Sequence, residues 1–313
     1  MSDTSLTIFS PAGLVARAAS IRRAAKRLKA LGFAVQVDEA AALKHQRFAG
    51  DDAQRLQALH RVARQAPAVA MATRGGYGLS RLLDRIDWRL MARSLERGTR
   101  WVGYSDVSTL QLAALAHGAV GSANATHFEG AGGWWAGPMA CDDFGRDDVE
   151  GGGDDVTQDC FVEAMSGALE AVGFRTEAGF DGLGKQGLLW GGNLTMLLSL
   201  LGTPHMPRIK GGILFVEDVN EHPYRIERAL LQLHQAGVLG AQKAVLLGQF
   251  TAWKPSPLDR GYTLKSCVAY LRSVCATPIL TGLPHGHTPL KVSLPIGRRV
   301  RLAVEGRDVV LAW

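Results

Sequence analysis

Short apolar runs alternate with longer stretches of helical spacing through the first third of the chain. Residues 5–9 form one such run, closed by Ser10-Pro11-Ala12-Gly13, and residues 14–31 carry helical periodicity up to the stop signal Gly32. Residues 33–37 read as a second strand. Asp51-Asp52 open a helix through Arg64, and after the break at Pro67 residues 68–72 form a third buried strand. Residues 101–104 are aromatic and β-branched, the end of a fourth strand. From Val107 the spacing turns helical, with Val107, Leu110 and Ala114 on one face. Strands alternating with helices predict an α/β fold with a parallel, doubly wound sheet, in which ligands gather at the carboxyl ends of the strands. Three such ends, at residues 10–13, 73–78 and 103–106, are expected to edge one cleft.

The pattern changes after residue 130. Glycine-rich, polar segments at 130–135 and 151–155 predict a linker with one helix near 160–172. Trp134 and Trp135 in it read as a hydrophobic plug or as a wall of the substrate cleft. Beyond it, residues 187–194 form a strand that runs into a helix through Leu201. An apolar strand at 211–216 ends at Glu217-Asp218. A helix over 224–235, a strand over 243–247 and a helix over 264–274 follow, and 300–305 with 309–313 alternate around Gly306 as a hairpin. The expected organisation is an N-terminal domain over residues 1–130, a linker over 131–184 and a mixed α/β domain over 185–313.

Composition narrows the function classes. The chain has 313 residues, 47% apolar and 20% charged, a globular balance with room for two cores. Its net charge of +6 invites nucleic acid as a partner, but the basic residues are scattered and no nucleic-acid-binding motif accompanies them. A solvated basic surface is the reading, with Arg17, Arg22, Arg23, Lys26 and Lys29 on the first helix. Four cysteines without CxxC spacing (Cys141, Cys160, Cys267, Cys275) are expected to be reduced structural thiols. The first residues lack a signal-peptide pattern, and no window approaches the length of a membrane span, so a cytoplasmic protein is expected.

Candidate chemistry centres on Ser105, where a strand turns sharply into a helix. Such a turn lifts a hydroxyl beside the free amides and positive dipole of a helix N-terminus, which can hold an oxyanion. The competing reading is that Ser105 or Asp106 simply caps the helix. The loop Arg74-Gly75-Gly76-Tyr77-Gly78 has neither dinucleotide nor P-loop spacing. It is either a plain turn or a backbone that approaches a substrate, with Gly76 N–H as an oxyanion donor and Arg74 as a carboxylate partner. A serine nucleophile needs a base, and the base an orienting carboxylate. His45, His60 and His234 read as surface residues, and His117 as a cation complementing a helix C-terminus. His205 and His222 fall in loops near prolines. His285 and His287 stand in a rigid glycine-punctuated loop that can aim a side chain. Glu217, after a deeply apolar run, is the acidic candidate. Glu217, Asp218, Glu221 and His222 are close enough to suggest a metal, but no ligand spacing supports one.

Five segments in order carry a family resemblance: Arg74 to Gly78, Gly103-Tyr104-Ser105-Asp106, Gly191-Gly192-Asn193-Leu194, Glu217-Asp218, and Gly286-His287 with Leu294-Pro295-Ile296-Gly297. Together they resemble the LD-carboxypeptidases, or muramoyltetrapeptide carboxypeptidases, a family of serine peptidases. The resemblance implies Ser105 as nucleophile, Glu217 as orienting acid and His287 as base, with backbone oxyanion donors at Gly76 and Asp106. It implies a Rossmann-like parallel-sheet domain and a C-terminal domain with the active site between them. Further implications are a cytoplasmic, often dimeric enzyme that uses no metal or cofactor and removes the terminal D-alanine from murein tetrapeptides. Arg74, Tyr77 and Arg225 are candidates for binding substrate. One departure stands out: where the family shows His-Gly-Pro-Met together, this chain has His127 and then Gly137-Pro138-Met139. Two other functions fit the same residues. A branch of the family cleaves peptide–nucleotide antibiotics, for which Trp134-Trp135 could stack a base. Two α/β domains around a cleft also describe a non-catalytic binding protein.

Overall fold

A computed structural model describes residues 4–120 and 132–313. His127 lies outside them. In chain order the elements are β1 (Thr4–Phe9), α1 (Ala18–Ala30), β2 (Phe33–Val37), α2 (Asp52–Gln65), β3 (Val69–Ala72), α3 (Trp88–Glu96), β4 (Arg100–Gly103), α4 (Val107–Ala116), β5 (Gly133–Ala136) and α5 (Asp155–Ser166). They continue with β6 (Ala171–Arg175), β7 (Gly184–Asn193), α6 (Leu194–Leu200), β8 (Ile213–Val219), α7 (Pro223–Gln235), β9 (Ala244–Thr251), α8 (Leu264–Val274) and β10 (Ile279–Leu280). Three strands end the chain: β11 (Leu294–Ile296), β12 (Arg298–Glu305) and β13 (Asp308–Ala312). The fold is α/β with two sheets, each in its own compact unit.

The first unit takes residues 1–169, 202–207 and 289–297. Its sheet runs β11-β5-β4-β3-β1-β2, parallel throughout except for β11 against β5. Parallel strands covered on both faces read as continuous apolar runs, and β3 and β4 are buried along their whole length. Trp101 and Trp134 are 1–2% exposed with ring centres 5.8 Å apart, and the edge of Phe9 meets Trp101 at 5.2 Å. Trp135 is 2% exposed on the same strand as Trp134. Both tryptophans are therefore core side chains, which removes them as a wall or stacking platform for a ligand.

Several boundaries differ from expectation, each for a local reason. Helix α1 begins at Ala18 because Gly13 bridges Phe48 and Leu14 N donates to Arg47 O, holding that stretch extended. The helix predicted over 160–172 lies earlier, since Gly167 ends α5 at φ 88° and residues 171–175 pair with β13. Residues 131–184, expected as a linker, instead supply β5 and α5 to the first unit and β6 to the second. The basic face of α1 is partly engaged: Arg27 donates to Phe144 O and Arg146 O, and Arg23 to Gly145 O.

The second unit takes residues 170–201, 208–288 and 298–313. Its mixed sheet runs β10-β9-β8-β7-β12-β13-β6, parallel from β10 to β7 and antiparallel beyond. Strand β8 is buried from Ile213 to Asp218, which carries two acidic side chains into the interior. All four cysteines are unpaired and buried. Burial pushes the Cys141 and Cys267 thiols up to about 12, so neither is a reactive thiolate. Among the described residues no helix is long and apolar enough to cross a membrane.

Candidate active site

The turn that carries Ser105 begins where β4 ends. Ser105 has φ +63°, a left-handed conformation that costs energy for any residue with a Cβ and is concentrated at functional turns. The turn is tight because Gly103 has no side chain: a Cβ there would lie 2.9 Å from Val107 Cγ1. Carbonyls of Tyr104, Ser105 and Asp106 accept from the amides of Val107, Ser108 and Thr109, so the helix starts at once. Buried Gln111 on α4 donates through Nε2 to Gly103 O at 2.9 Å and to Trp135 O at 2.8 Å, tying the helix to the ends of two strands.

Capping by Asp106, the competing reading from the sequence, does not occur. Its side chain makes no cap bond, and Oδ2 instead accepts from Leu79 N at 3.0 Å. Burial pushes its carboxyl up to about 6, against the opposing pull of that backbone bond and of Arg55. The carboxylate thus ties the Ser105 turn to the segment that follows the glycine loop.

That loop comes to Ser105 as bare backbone. A Cβ on Gly75 would sit 2.8 Å from Ser105 Oγ and 3.1 Å from Asp106 N. Gly75 O accepts from Gly13 N at 2.9 Å, and Gly76 takes φ +102°. The loop is thus more than a plain turn, since its backbone packs against Ser105. Arg74 is 38% exposed, with Nε 3.6 Å from Asp142 Oδ1 and Nη1 3.3 Å from Leu14 O. Tyr77 is exposed, its ring 6.0 Å from Phe48. Behind the turn, fully buried Lys291 pairs with Asp143 and lies 5.0 Å over the Tyr104 ring. No local pattern in the sequence marks Lys291.

In the second unit, Glu217 Oε2 and His287 Nδ1 are 2.7 Å apart. A carboxylate can only accept, so Nδ1 donates and the imidazole lone pair resides on Nε2. Glu217 is fully buried and sits where the β8–β9 register shifts between Val216 and Asp218, an irregularity of the kind that re-aims side chains. Asn193 Nδ2 reaches Glu217 Oε1 at 3.3 Å and Asp218 Oδ1 at 3.0 Å. Asp218 Oδ2 accepts from Thr195 N and Oγ1, so this acid holds the start of α6 while Glu217 holds the histidine. Gly286, at φ +145°, allows the loop to pass: a Cβ there would lie 3.3 Å from Glu217 Cβ and 3.0 Å from Gln249 O. His285 is fully buried instead, with its ring edge-on to Phe215 at 5.5 Å.

The remaining histidines and the suggested metal cluster have other partners. His222 bonds Asp259 at 3.1 Å, which takes it away from the Glu217 cluster, and Glu221 lies 3.6 Å from Arg225. Among the described residues no group of three metal-ligating side chains comes together. His117 is not a free cation at a helix end: it stacks on Trp88 at 4.7 Å, and its Nε2 is 2.9 Å from His205 Nδ1. Burial and His205 hold its pKa below the ordinary value. His205 is buried and completes a chain to Asp84 at 2.9 Å.

Comparison with known proteins matches this architecture. Residues 6–124 fit the family model of the LD-carboxypeptidase N-terminal domain, and residues 186–302 that of the LD-carboxypeptidase C-terminal domain. A probable murein peptide carboxypeptidase of Bacillus subtilis is 30% identical over 91% of this chain and 84% of its own. A solved muramoyltetrapeptide carboxypeptidase from Oxalobacter formigenes superposes with a TM-score of 0.85 at 38% identity, covering 98% of each chain. The microcin C7 self-immunity protein MccF, solved with aspartyl sulfamoyl adenosine, shares the fold at a TM-score of 0.81 and 18% identity, covering 100% of this chain and 97% of its own. By its two domain matches and its full-length relatives, the chain belongs to the LD-carboxypeptidase family.

Proposed function

We propose that the protein is a serine L,D-carboxypeptidase that removes the terminal D-alanine from murein tetrapeptides during peptidoglycan recycling, as a cytoplasmic homodimer. The observation that carries this reading is the 2.7 Å bond between His287 Nδ1 and the buried Glu217, which makes Nε2 the proton-accepting nitrogen. Its partner in this reading is Ser105 at the strand-to-helix turn, as the family resemblance implies.

In this mechanism His287 Nε2 takes the Ser105 proton as Oγ attacks the carbonyl preceding D-alanine. The backbone amides of Gly76 and Asp106 hold the oxyanion, where one lost donor typically costs about 3 kcal/mol. Glu217 stabilises the imidazolium, which then protonates the departing amine. Water, activated by the same histidine, hydrolyses the acyl-enzyme. Arg74, in the loop that brings Gly75 onto Ser105, binds the free carboxylate of the departing residue, with Tyr77 beside it. The test is hydrolysis of a murein tetrapeptide beside a peptidyl-adenylate, with fluorophosphonate labelling of Ser105. Release of D-alanine with labelling is the expected result. Preference for the adenylate would move the protein to the antibiotic-cleaving branch, and absence of both turnover and labelling would make it a binding protein.

A further inference from the structure

Helix α2 buries a stripe of Ala58, Leu59, Val62 and Ala63, and its first member, one turn earlier, is a charged residue, Arg55. That side chain is fully buried at a position whose spacing calls for an apolar residue. Taking a guanidinium out of water is costly, and here Nε is left buried with no acceptor among the described residues. Such burial is a poor source of stability, and it directs attention to what the other donors hold.

Those donors reach the segment after β1 and the glycine loop. Nη1 donates to Gly78 O at 2.9 Å and to Pro11 O at 3.1 Å, and Nη2 pairs with Asp52. Asp52 Oδ2 in turn accepts from Arg81 Nε at 2.9 Å, and both guanidiniums lie 4.8 Å from the centre of the Phe48 ring. The loop is shaped around this group: Gly78 takes φ +146°, and a Cβ there would lie 2.6 Å from Arg55 Nη1. Two carbonyls brought to one nitrogen bind the segments together at their base. Gly13 N, donating to Gly75 O at 2.9 Å, binds them again at the tip. The tip is the part of the loop that packs on Ser105. One residue beyond Gly78, Leu79 N donates to Asp106 Oδ2, and the charge of Arg55 draws that buried carboxyl down against its desolvation.

We propose that Arg55 is a positioning residue of the reaction. By holding Pro11 and Gly78 it sets the Gly75-Gly76 backbone against Ser105, and so fixes where the Gly76 amide meets the oxyanion. The proposal rests on the serine peptidase reading above, and Arg55, fully enclosed, acts only through the loop. A guanidinium suits this role because its flat fork carries donors to several acceptors at fixed angles, whereas a lysine amine concentrates them at one point.

The test compares Arg55→Lys and Arg55→Ala with the wild type on a murein tetrapeptide, with rates counted per site labelled to completion by a fluorophosphonate. Arg55→Ala should lower kcat about 100-fold with KM nearly unchanged, as expected when reacting groups are displaced by about 1 Å. Arg55→Lys keeps the charge and should lower kcat about tenfold, for the loss of one charge-assisted hydrogen bond. Should Arg55→Ala fail to fold, the Arg55→Lys rates decide. The rate of labelling should fall in step with kcat, because the phosphoryl oxygen uses the same amides. Millimolar guanidinium should raise the kcat of Arg55→Ala about tenfold and leave the wild type unchanged, the free ion refilling the space of the missing group. A lower melting temperature with unchanged kcat per labelled site in Arg55→Lys would make Arg55 purely structural, overturning the proposal while the peptidase reading stands. A wild type that is labelled but releases no D-alanine, with slower labelling in Arg55→Lys, would sink the substrate and keep the positioning role. A wild type that neither turns over nor labels would sink the peptidase reading, and the positioning role with it.

Discussion

At Ser105 the geometry is held by the backbone, whereas at Glu217 and His287 it is held by side chains. Ser105 sits at φ +63° with Gly75 packed onto it and Gly103 making room behind. The Glu217–His287 pair instead depends on a 2.7 Å hydrogen bond, with Asn193 on the second carboxylate oxygen. The difference follows from what each part must do. In the proposed reaction an oxyanion is held by backbone amides, which every residue but proline carries, so that region demands particular φ values and the absence of side chains. A base must hold and release a proton at one atom, so its region demands one side chain in one tautomer. The first region should therefore break on adding a methyl group, and the second on removing a ring.

The largest effect is expected at the nucleophile itself. Ser105→Ala should lower turnover by about 10⁴-fold or more while leaving the melting temperature within a few degrees, measured as D-alanine release and by calorimetry. Turnover near the wild-type rate in the folded variant would remove Ser105 from the reaction.

The two loop histidines separate chemistry from packing. His287→Ala should abolish acylation by a fluorophosphonate and, because the ring is the donor to the fully buried Glu217, should also cost about 1–3 kcal/mol of stability. His285→Ala, where the ring is fully buried against Phe215, should cost about 2–4 kcal/mol of stability and retain a substantial fraction of the activity. Should the inactive variant be the one at 285, the roles given to the two side chains are reversed.

Gly75→Ala tests the backbone half directly. A Cβ 2.8 Å from Ser105 Oγ and 3.1 Å from Asp106 N must displace the turn, and a misplacement of that order should lower kcat/KM by about 100-fold. The accompanying loss of stability should stay near 1–3 kcal/mol. Unchanged kinetics would show that the loop can retreat and that its approach is incidental.

The smallest effect is one of stability and pH. Because the Asp106 carboxyl is pushed up from 3.8 to about 6 in the folded state, its contribution is fully present below pH 3.8 and is lost as pH rises through 6. Asp106→Asn keeps an oxygen to accept from Leu79 N without the charge. Its melting temperature should match the wild type at pH 4 and exceed it at pH 8, the displacement from 3.8 to about 6 corresponding to about 3 kcal/mol at most. A gap that is the same at both pH values would mean that Asp106 is ionised without penalty.

Much of this was legible in the chain because it is local. Alternating apolar runs and helical periods gave the α/β class, and the change of period at residues 104–107 placed Ser105 on a strand-to-helix turn. The apolar run before Glu217 marked a buried acid, found at 0% exposure. What remained hidden depends on contacts between distant segments. Residues 294–296 look like part of a C-terminal domain, yet they pair with β5 in the first sheet, and Lys291 beside them is buried with Asp143. Gly133 to Ala136 reads as linker because glycine flanks it, but its tryptophans are core. A short apolar run satisfies the edge of either sheet equally well, and only the strand already waiting there decides which one it joins. His285 and His287 show the same limit within one loop. Glycine between them frees their directions, and apart from the family resemblance the residues carry no sign of which ring meets a carboxylate and which meets Phe215. That choice was made by strand β8, whose Glu217 meets His287 and whose Phe215, two residues earlier, meets His285.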